Sequence, residues 1–351
     1  MDNPLIDIIV TVWNRSIETR NCLVNLINHS PDARFILVDN GSDRETERLL
    51  EEFAEILDQR AVLLRNNVNQ GYLRAVNKGL AHAEAPYVAI VSNTSTVTDG
   101  CLESLISFAR ERNEAGIIVP RLFDGAAGKP AKSGRAPAKP IETDHGSLAV
   151  MLLKKQLYDI IGGLDEEMDG GLWCLKDFSR RAYRAGYFTF RVEEGIACYL
   201  EEIRFGSVER REIAVQGSIT RYRERWGNDG SFLLHIPKDV DTGILRQKLE
   251  IIRQGARQGD LFTVLTHARL YRKLKRAGFD RLHENIRFVR LPLIFETRAI
   301  NKTLACMNAT MPDARAVTGI DGMPFPAGME SIPFAELERM IATAQTECYG
   351  G

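Results

Sequence analysis

The sequence predicts an α/β protein, a Rossmann-like, mostly parallel sheet with helices on both faces, followed by a mainly helical C-terminal region. Short β-branched apolar runs alternate with amphipathic segments as far as residue 110, the rhythm of parallel strands joined by crossover helices. Polar clusters follow the first, second and fourth of these runs, and open α/β sheets bind ligands at the carboxyl ends of their strands. After Trp226-Gly227-Asn228 the rhythm changes. That change divides the chain into a domain at 1–227 and an appendage at 228–351.

Residues 5–12, Leu-Ile-Asp-Ile-Ile-Val-Thr-Val, suit a strand buried on both faces. Residues 17–28 have helical spacing through Cys22, Leu23, Leu26 and Ile27. A second strand at 34–38 closes in Asp39-Asn40-Gly41-Ser42, and 45–57 carries Leu49, Leu50, Phe53, Ile56 and Leu57 on one helical side. A strand at 61–64 and a helix at 72–83 follow, then a strand at 87–91 and a helix at 99–110 with Asp99 as its N-cap. Between 124 and 146 the composition turns to Gly, Pro, Ala and Lys, a surface loop carrying Lys129, Lys132, Arg135 and Lys139. A strand at 147–153, the Gly162-Gly163 turn, a helix near 177–185 and a strand at 188–192 complete the domain. In the appendage, 244–255, 261–277 and 334–346 have helical spacing, 286–293 reads as strand or extended chain, and 319–333 is a Gly/Pro-rich connection.

Composition excludes several classes. With 44% hydrophobic and 26% charged residues the chain is of ordinary globular make-up, and its net charge of -1 gives no global drive toward nucleic acid or anionic membrane. No apolar run reaches the length of a membrane span, and the acidic start Met1-Asp2-Asn3-Pro4 lacks the pattern of a secretory signal. The six cysteines show no Cys-x-x-Cys spacing, which predicts reduced thiols and a cytoplasmic protein. The six histidines are too scattered for a zinc site.

Trp13, after the first strand, can stack on a flat base or simply fill core. Asp39 and Asn40 can hydrogen-bond a base or ribose, or close the strand as an Asx-turn. Taken in order, Thr11-Val12-Trp13-Asn14-Arg15, Val38-Asp39-Asn40-Gly41-Ser42, and Asn69-Gln70-Gly71-Tyr72 with Arg74 and Asn77 resemble the family 2 glycosyltransferases of GT-A fold. Gly162-Gly163-Leu164-Asp165-Glu166, Arg184-Ala185-Gly186-Tyr187 and Arg225-Trp226-Gly227 extend the resemblance over about residues 5–227. It implies a nucleotide-sugar co-substrate, UDP-linked by preference, with Thr11, Trp13 and Asp39 on the nucleobase side and Arg74 near the diphosphate.

The departures from the family pattern fall on its chemical positions. By the resemblance, the two aspartates of the metal-binding Asp-x-Asp map to Ser92 and Thr94 around Asn93, and a late metal-binding histidine maps near Tyr199. Neutral hydroxyls replace carboxylates poorly on a hard divalent cation, so the expectation is no tightly bound metal and no tightly bound cofactor, with Ser92 and Asn93 kept as donor contacts. An ungapped alignment from Gly186 puts the family's general base at Leu175; a shorter helix puts it at Asp177 beside Lys176, and Asp177 is the base chosen, with Asp165 and Asp169 as alternatives. Lys129, Lys132 and Arg135 of a loop closing over the diphosphate, with Arg204, Arg210 and Arg211, are the cations that would serve the leaving group.

The function expected is transfer of a sugar from a nucleotide sugar to a hydroxyl of a glycan, lipid-linked or protein acceptor. The alternative is a catalytically inactive relative that binds nucleotide, glycan or protein. A nucleotidyltransferase would carry a Gly-rich basic loop where Trp13-Asn14-Arg15 stands. The basic run Arg269 to Arg276, with Arg281, Arg287 and Arg290, is a solvated face or meets an anionic acceptor, a lipid-phosphate surface or a protein. No nucleic-acid motif accompanies it.

Overall fold

The structure is a computed structural model and describes residues 4–125, 139–169, 171–200, 208–236, 240–293, 296–310, 313–319 and 330–346. The chain forms two compact units, 1–140 with 145–227, and 141–144 with 228–351. The expected loop cations Lys129, Lys132, Arg135 and Arg204 lie outside the described residues.

The first unit opens with β1 (Ile6–Val12), α1 (Ser16–His29), β2 (Arg34–Asn40), α2 (Arg44–Leu57), β3 (Ala61–Asn66), α3 (Tyr72–Leu80) and β4 (Tyr87–Ser92). It continues through β5 (Ser95–Val97), α4 (Cys101–Glu111) and β6 (Ala115–Asp124). After β7 (Ile141–Glu142), which belongs to the second unit, come β8 (Val150–Lys154), α5 (Lys155–Ile161), α6 (Trp173–Arg184), β9 (Phe188–Tyr199) and α7 (Val208–Trp226). The strands lie in the order β3-β2-β1-β4-β8-β6-β9-β5. β1 runs parallel to β2 and β4, β2 to β3, and β6 to β9, while β8 is antiparallel to both β4 and β6.

All of β1 is buried. Strand alternation sends Ile8, Val10, Phe35 and Leu37 to a core with α1, α2 and α4, and Ile9, Ile36 and Val38 to a core with α3 and α6. Asp7, the polar interruption in that run, is compensated. Arg34 grips it with two hydrogen bonds of 2.8 Å, and the Glu84 and Ala85 amides donate to Oδ2. The α4 start differs from expectation: Gly100, at φ 69°, takes the N-cap position, and Asp99 points outward to His29 at 3.5 Å.

A second compensated carboxylate closes the far side of the unit. Asp177 on α6 has no solvent exposure; Arg225 (2.6 Å) and Trp226 Nε1 (2.9 Å) of α7 donate to Oδ1, and Arg181 (2.9 Å) donates to Oδ2. Arg181 also donates to the Ile161 and Gly163 carbonyls, both at 2.7 Å. Arg225 and Arg221 reach Asp165, where burial alone would raise the pKa but the guanidinium hydrogen bonds outweigh it and lower it. One network thus ties the 161–165 turn, α6 and α7 together.

The second unit contains β10 (Ser231–Ile236), α8 (Thr242–Arg257), β11 (Leu261–His267), α9 (Ala268–Ala277), β12 (Ile286–Leu291), α10 (Glu296–Thr310), β13 (Arg315–Thr318), β14 (Ser331–Pro333) and α11 (Phe334–Thr346). The expected helices at 244–255 and 334–346 are α8 and α11. Between the helices runs a parallel sheet, β12-β11-β10-β13-β14; β12 is the strand or extended chain expected at 286–293, and the other four strands leave no such signal in the spacing. The segment 261–277, read as one helix, divides at His267: Leu-Phe-Thr-Val-Leu-Thr-His is a strand enclosed between β10 and β12, and only the remainder coils. A short apolar run enclosed on both faces has no period that separates strand from helix. Among the described residues no helix is long and apolar enough to cross a membrane.

The 141–144 strap is held in this unit by Glu142, whose carboxylate accepts from Arg253 and, at 2.7 and 2.9 Å, from Arg257. Beside it His283 is buried, its Nδ1 accepting the Asn285 amide and its Nε2 meeting no partner. Burial pushes its pKa down to about 4, against the upward pull of Asp144 and Glu142.

Removal of the Asp177 carboxylate leaves two guanidinium groups and an indole N–H facing an empty acceptor position. Asp177→Ala is expected to destabilise the first unit by about 3–5 kcal/mol, read as a lowered urea midpoint; a loss below about 1 kcal/mol would contradict the role assigned to the network. For His283, the folded pKa lies below the unfolded value, so the unfolded chain binds more protons through the window from 6.5 to about 4. Stability is then complete above that window and falls as pH drops through it, by on the order of 3 kcal/mol in all. A His283→Gln variant should show a flatter fall of the urea midpoint with acidification; an unchanged slope would count against the assignment.

Candidate functional site

Strand order reverses at β1. The chain lays β2 and β3 on one side of β1 and then β4 on the other, a topological switch point whose carboxyl ends form a crevice. Register brings named residues to it: Thr11 pairs with Ser92 across β1 and β4 and with Val38 across β1 and β2, and Val12 pairs with Asp39. Asn14 and Arg15, which follow Trp13, both hold left-handed backbone, at φ 58° and 62°, conformations that cost of order 1–3 kcal/mol in a non-glycine residue. Hydrogen bonds from the Asn14 amide to Ser42 Oγ (3.0 Å) and from the Asp43 amide to Asn14 Oδ1 (2.7 Å) hold that turn against the end of β2.

Asp39 is buried, and its Oδ1 accepts the Ser42 amide at 2.9 Å. That is the Asx-turn arrangement, and it leaves Oδ2 outside the turn. Thr11 is buried with a hydroxyl that meets no hydrogen-bond partner, and so is Ser95 just beyond β4. A buried hydroxyl without a partner costs about 1–3 kcal/mol, and these two stand near the carboxyl ends of β1 and β4. Trp13 is half-buried after β1.

Next to this end of the sheet lies a cavity of about 630 Å³. Ser92, Thr94 and Ser95 line it from the β4–β5 turn, Tyr72 from α3, Cys174 and Leu175 from α6, and Arg211 from α7. Asp169, His145 and Tyr199 also face it. Tyr199 pairs with Ser95 across β9 and β5, and the Leu200 amide donates to the Thr94 carbonyl at 3.2 Å. The residues expected from separate parts of the sequence, Ser92, Thr94, Tyr199 and Arg211, therefore line one cavity. For Tyr72 and Ser95 the sequence carries no signal of this cavity. Tyr72 joins it through a hydroxyl that donates to the Leu148 carbonyl at 3.0 Å, a long-range contact with no local signal.

Two expected roles meet a different geometry. Asp177, the expected base, faces the interior with both oxygens engaged as described. Leu175 faces the cavity instead. Helical residues two positions apart are separated by roughly 200° of rotation, so Leu175 and Asp177 cannot share a face. Arg74 pairs with Glu166 at 3.2 Å in a separate open hollow lined by Asn77 and Lys78. It is not among the residues lining the cavity.

The donor set at the β4 turn suits a hard cation poorly. Thr94 donates its hydroxyl proton to the Leu200 carbonyl (3.2 Å), and Ser92 and Thr94 hydroxyls lie 3.1 Å apart in a hydrogen bond. Asn93 directs its amide to Thr19 Oγ1 at 2.9 Å. These groups are neutral and satisfied by one another, whereas Mg²⁺ or Mn²⁺ draws on carboxylate oxygens. Asp169 is the carboxylate among the residues lining the cavity, and its Oδ2 abuts Gly71, where an added Cβ would lie 3.2 Å away.

Residues 7–163 match the model of glycosyl transferase family 2. EpsH of Bacillus subtilis, which is provisionally named a glycosyltransferase, is 25% identical over 115 residues, 32% of this chain and 33% of EpsH. An uncharacterized glycosyltransferase of Haemophilus influenzae is 30% identical over 111 residues, 31% of this chain and 43% of its own length. The chain thus spans well under half of these relatives. In fold it is similar to the mannosyltransferase PcManGT of Pyrobaculum calidifontis in complex with GDP-Man and Mn²⁺, at TM-score 0.50 and 13% identity over 98% of this chain and 86% of that one. GalNAc-T7 with UDP, GalNAc and Mn²⁺ gives TM-score 0.51 and 13% identity over 63% and 48% of the two chains. Strand order, the switch point at β1 and these likenesses converge: residues 7–163, within the first unit, match glycosyl transferase family 2, and the unit has the GT-A fold.

Proposed function

We propose that the protein transfers a sugar from a nucleotide-sugar donor to a hydroxyl acceptor, without an Asp-x-Asp metal. The observation that carries this reading is the convergence of Thr11, Asp39 and Ser92 at one switch point, with two unpartnered buried hydroxyls beside them. Asp39 Oδ2 accepts from the nucleobase, Trp13 packs against its plane, and Thr11 supplies a hydroxyl. The sugar diphosphate lies toward Ser92 and Asn93. UDP is the preferred nucleotide; the UDP and GDP-Man held by GalNAc-T7 and PcManGT make nucleotide diphosphates the class to test.

Charge on the departing diphosphate is met by Arg211, the cation lining the cavity. Asp169 replaces Asp177 as the acceptor-activating carboxylate, because it faces the same cavity while Asp177 is sealed. In the transfer, the acceptor oxygen bonds to the anomeric carbon as the anomeric carbon–phosphate oxygen bond breaks. The acceptor proton passes to Asp169, and the electron pair leaves on the nucleoside diphosphate.

A specific observation favours a second reading, binding without turnover: the cavity position on α6 where the family carries its base is Leu175. The two readings separate in a donor panel of UDP- and GDP-sugars assayed in chelator. Asp39→Asn is expected to weaken nucleoside diphosphate binding about tenfold or more, and unchanged binding would overturn the nucleobase assignment. Asp169→Asn is expected to lower kcat by about 10²–10⁴ while leaving the donor KM nearly unchanged. Tight nucleotide binding with no transfer or donor hydrolysis by the unsubstituted protein would establish the second reading instead.

A further inference from the structure

The second unit carries a charged surface that the sugar-transfer reading does not use. Helix α9 has five cations in ten residues, Arg269, Arg272, Lys273, Lys275 and Arg276, and no acid. All five are exposed. Arg269, Arg272, Lys273 and Arg276 fall in one sector of the helix, opposite the buried Leu270 and Leu274. Strand β12, which α9 partly covers, adds exposed Arg287 and Arg290 and is the edge of its sheet. Alternation places Arg290 on the sheet face of Ile286 and Phe288, the face that packs with α9. Among the described residues none of these seven cations forms an ion pair. For a chain of net charge -1, that is a pronounced local imbalance.

Edge-strand charges commonly prevent edge-to-edge pairing, and this accounts for Arg287 and Arg290. It leaves the five uncompensated cations of α9 unexplained. The chain leaving β12 supplies a second feature: Pro292 and Leu293 are exposed, Leu293 at 54%. A soluble polyanion has no use for exposed apolar residues beside the cations. An interface of anionic headgroups above acyl chains accommodates both.

We propose that the α9–β12 face, with exposed Leu293 just beyond β12, docks the protein on an anionic phospholipid surface. The proposal is independent of the donor site in the first unit. Arg269, Arg272, Lys273 and Arg276 meet the lipid phosphates, and Leu293 enters the headgroup boundary.

The test is sedimentation of the full chain with phosphatidylcholine vesicles, with and without phosphatidylglycerol. Binding is expected only with the anionic lipid, and it should weaken with salt. Replacing Arg272, Lys273 and Arg276 together by Gln should weaken partition about a hundredfold. Leu293→Ser should weaken it severalfold, and that loss should persist at high salt. These positions are exposed, so the variants should keep the parent's thermal midpoint. Equal binding to uncharged vesicles, or no binding to either, would overturn the proposal. So would competition by inorganic polyphosphate combined with an unaltered Leu293→Ser variant, which would make the face a site for a soluble polyanion.

Discussion

Asp177 is the constraint on which one wall of the site depends. Both carboxylate oxygens are engaged inside the protein, and the donors come from α6 and α7. The same two helices supply Cys174, Leu175 and Arg211 to the cavity. A buried charge is tolerated only with partners of opposite sign in good geometry, so the three donors are positioned as strictly as the acceptor. Through Arg225, shared with Asp165, the constraint reaches the turn that precedes Asp169. The cavity is therefore shaped by a carboxylate that takes no part in it.

The opposite wall follows a different logic. Where a metal-binding motif would place two carboxylates, Ser92 and Thr94 hydrogen-bond to each other and to the chain leaving β9. Tyr199 lies across from Ser95, the neighbourhood in which the family pattern places a third metal ligand. Changes that are separate in the sequence are adjacent in space. Together they form a neutral cluster satisfied by its own hydrogen bonds, and under the proposed transfer the electrostatic burden of a departing diphosphate falls on Arg211.

Much of the first unit was legible in the sequence because buried parallel strands and amphipathic helices leave periodic traces. Asp39-Asn40-Gly41-Ser42 marks the end of β2 by turn chemistry, and Asn40 to Asn69 and Gly71 contacts of 2.9 and 3.1 Å fix the α3 start that the motif announced. Sequence pattern misleads where the decisive interaction is long-range. Whether Asp177 turns inward depends on Arg225 and Trp226, residues 48 and 49 positions away. Whether Arg74 reaches a phosphate depends on Glu166, which claims it. In the second unit β10 and β11 are short runs enclosed on both faces, and no local period separates such runs from helix.

The central claim is that nucleotide is held at the β1–β4 crevice by Asp39 and its neighbours without a metal at Ser92 and Thr94. Calorimetric titration of UDP into the protein, first in chelator and then with saturating Mn²⁺, tests it most directly. The account predicts the same Kd in both conditions. A saturable tightening of UDP binding as Mn²⁺ is added would contradict it.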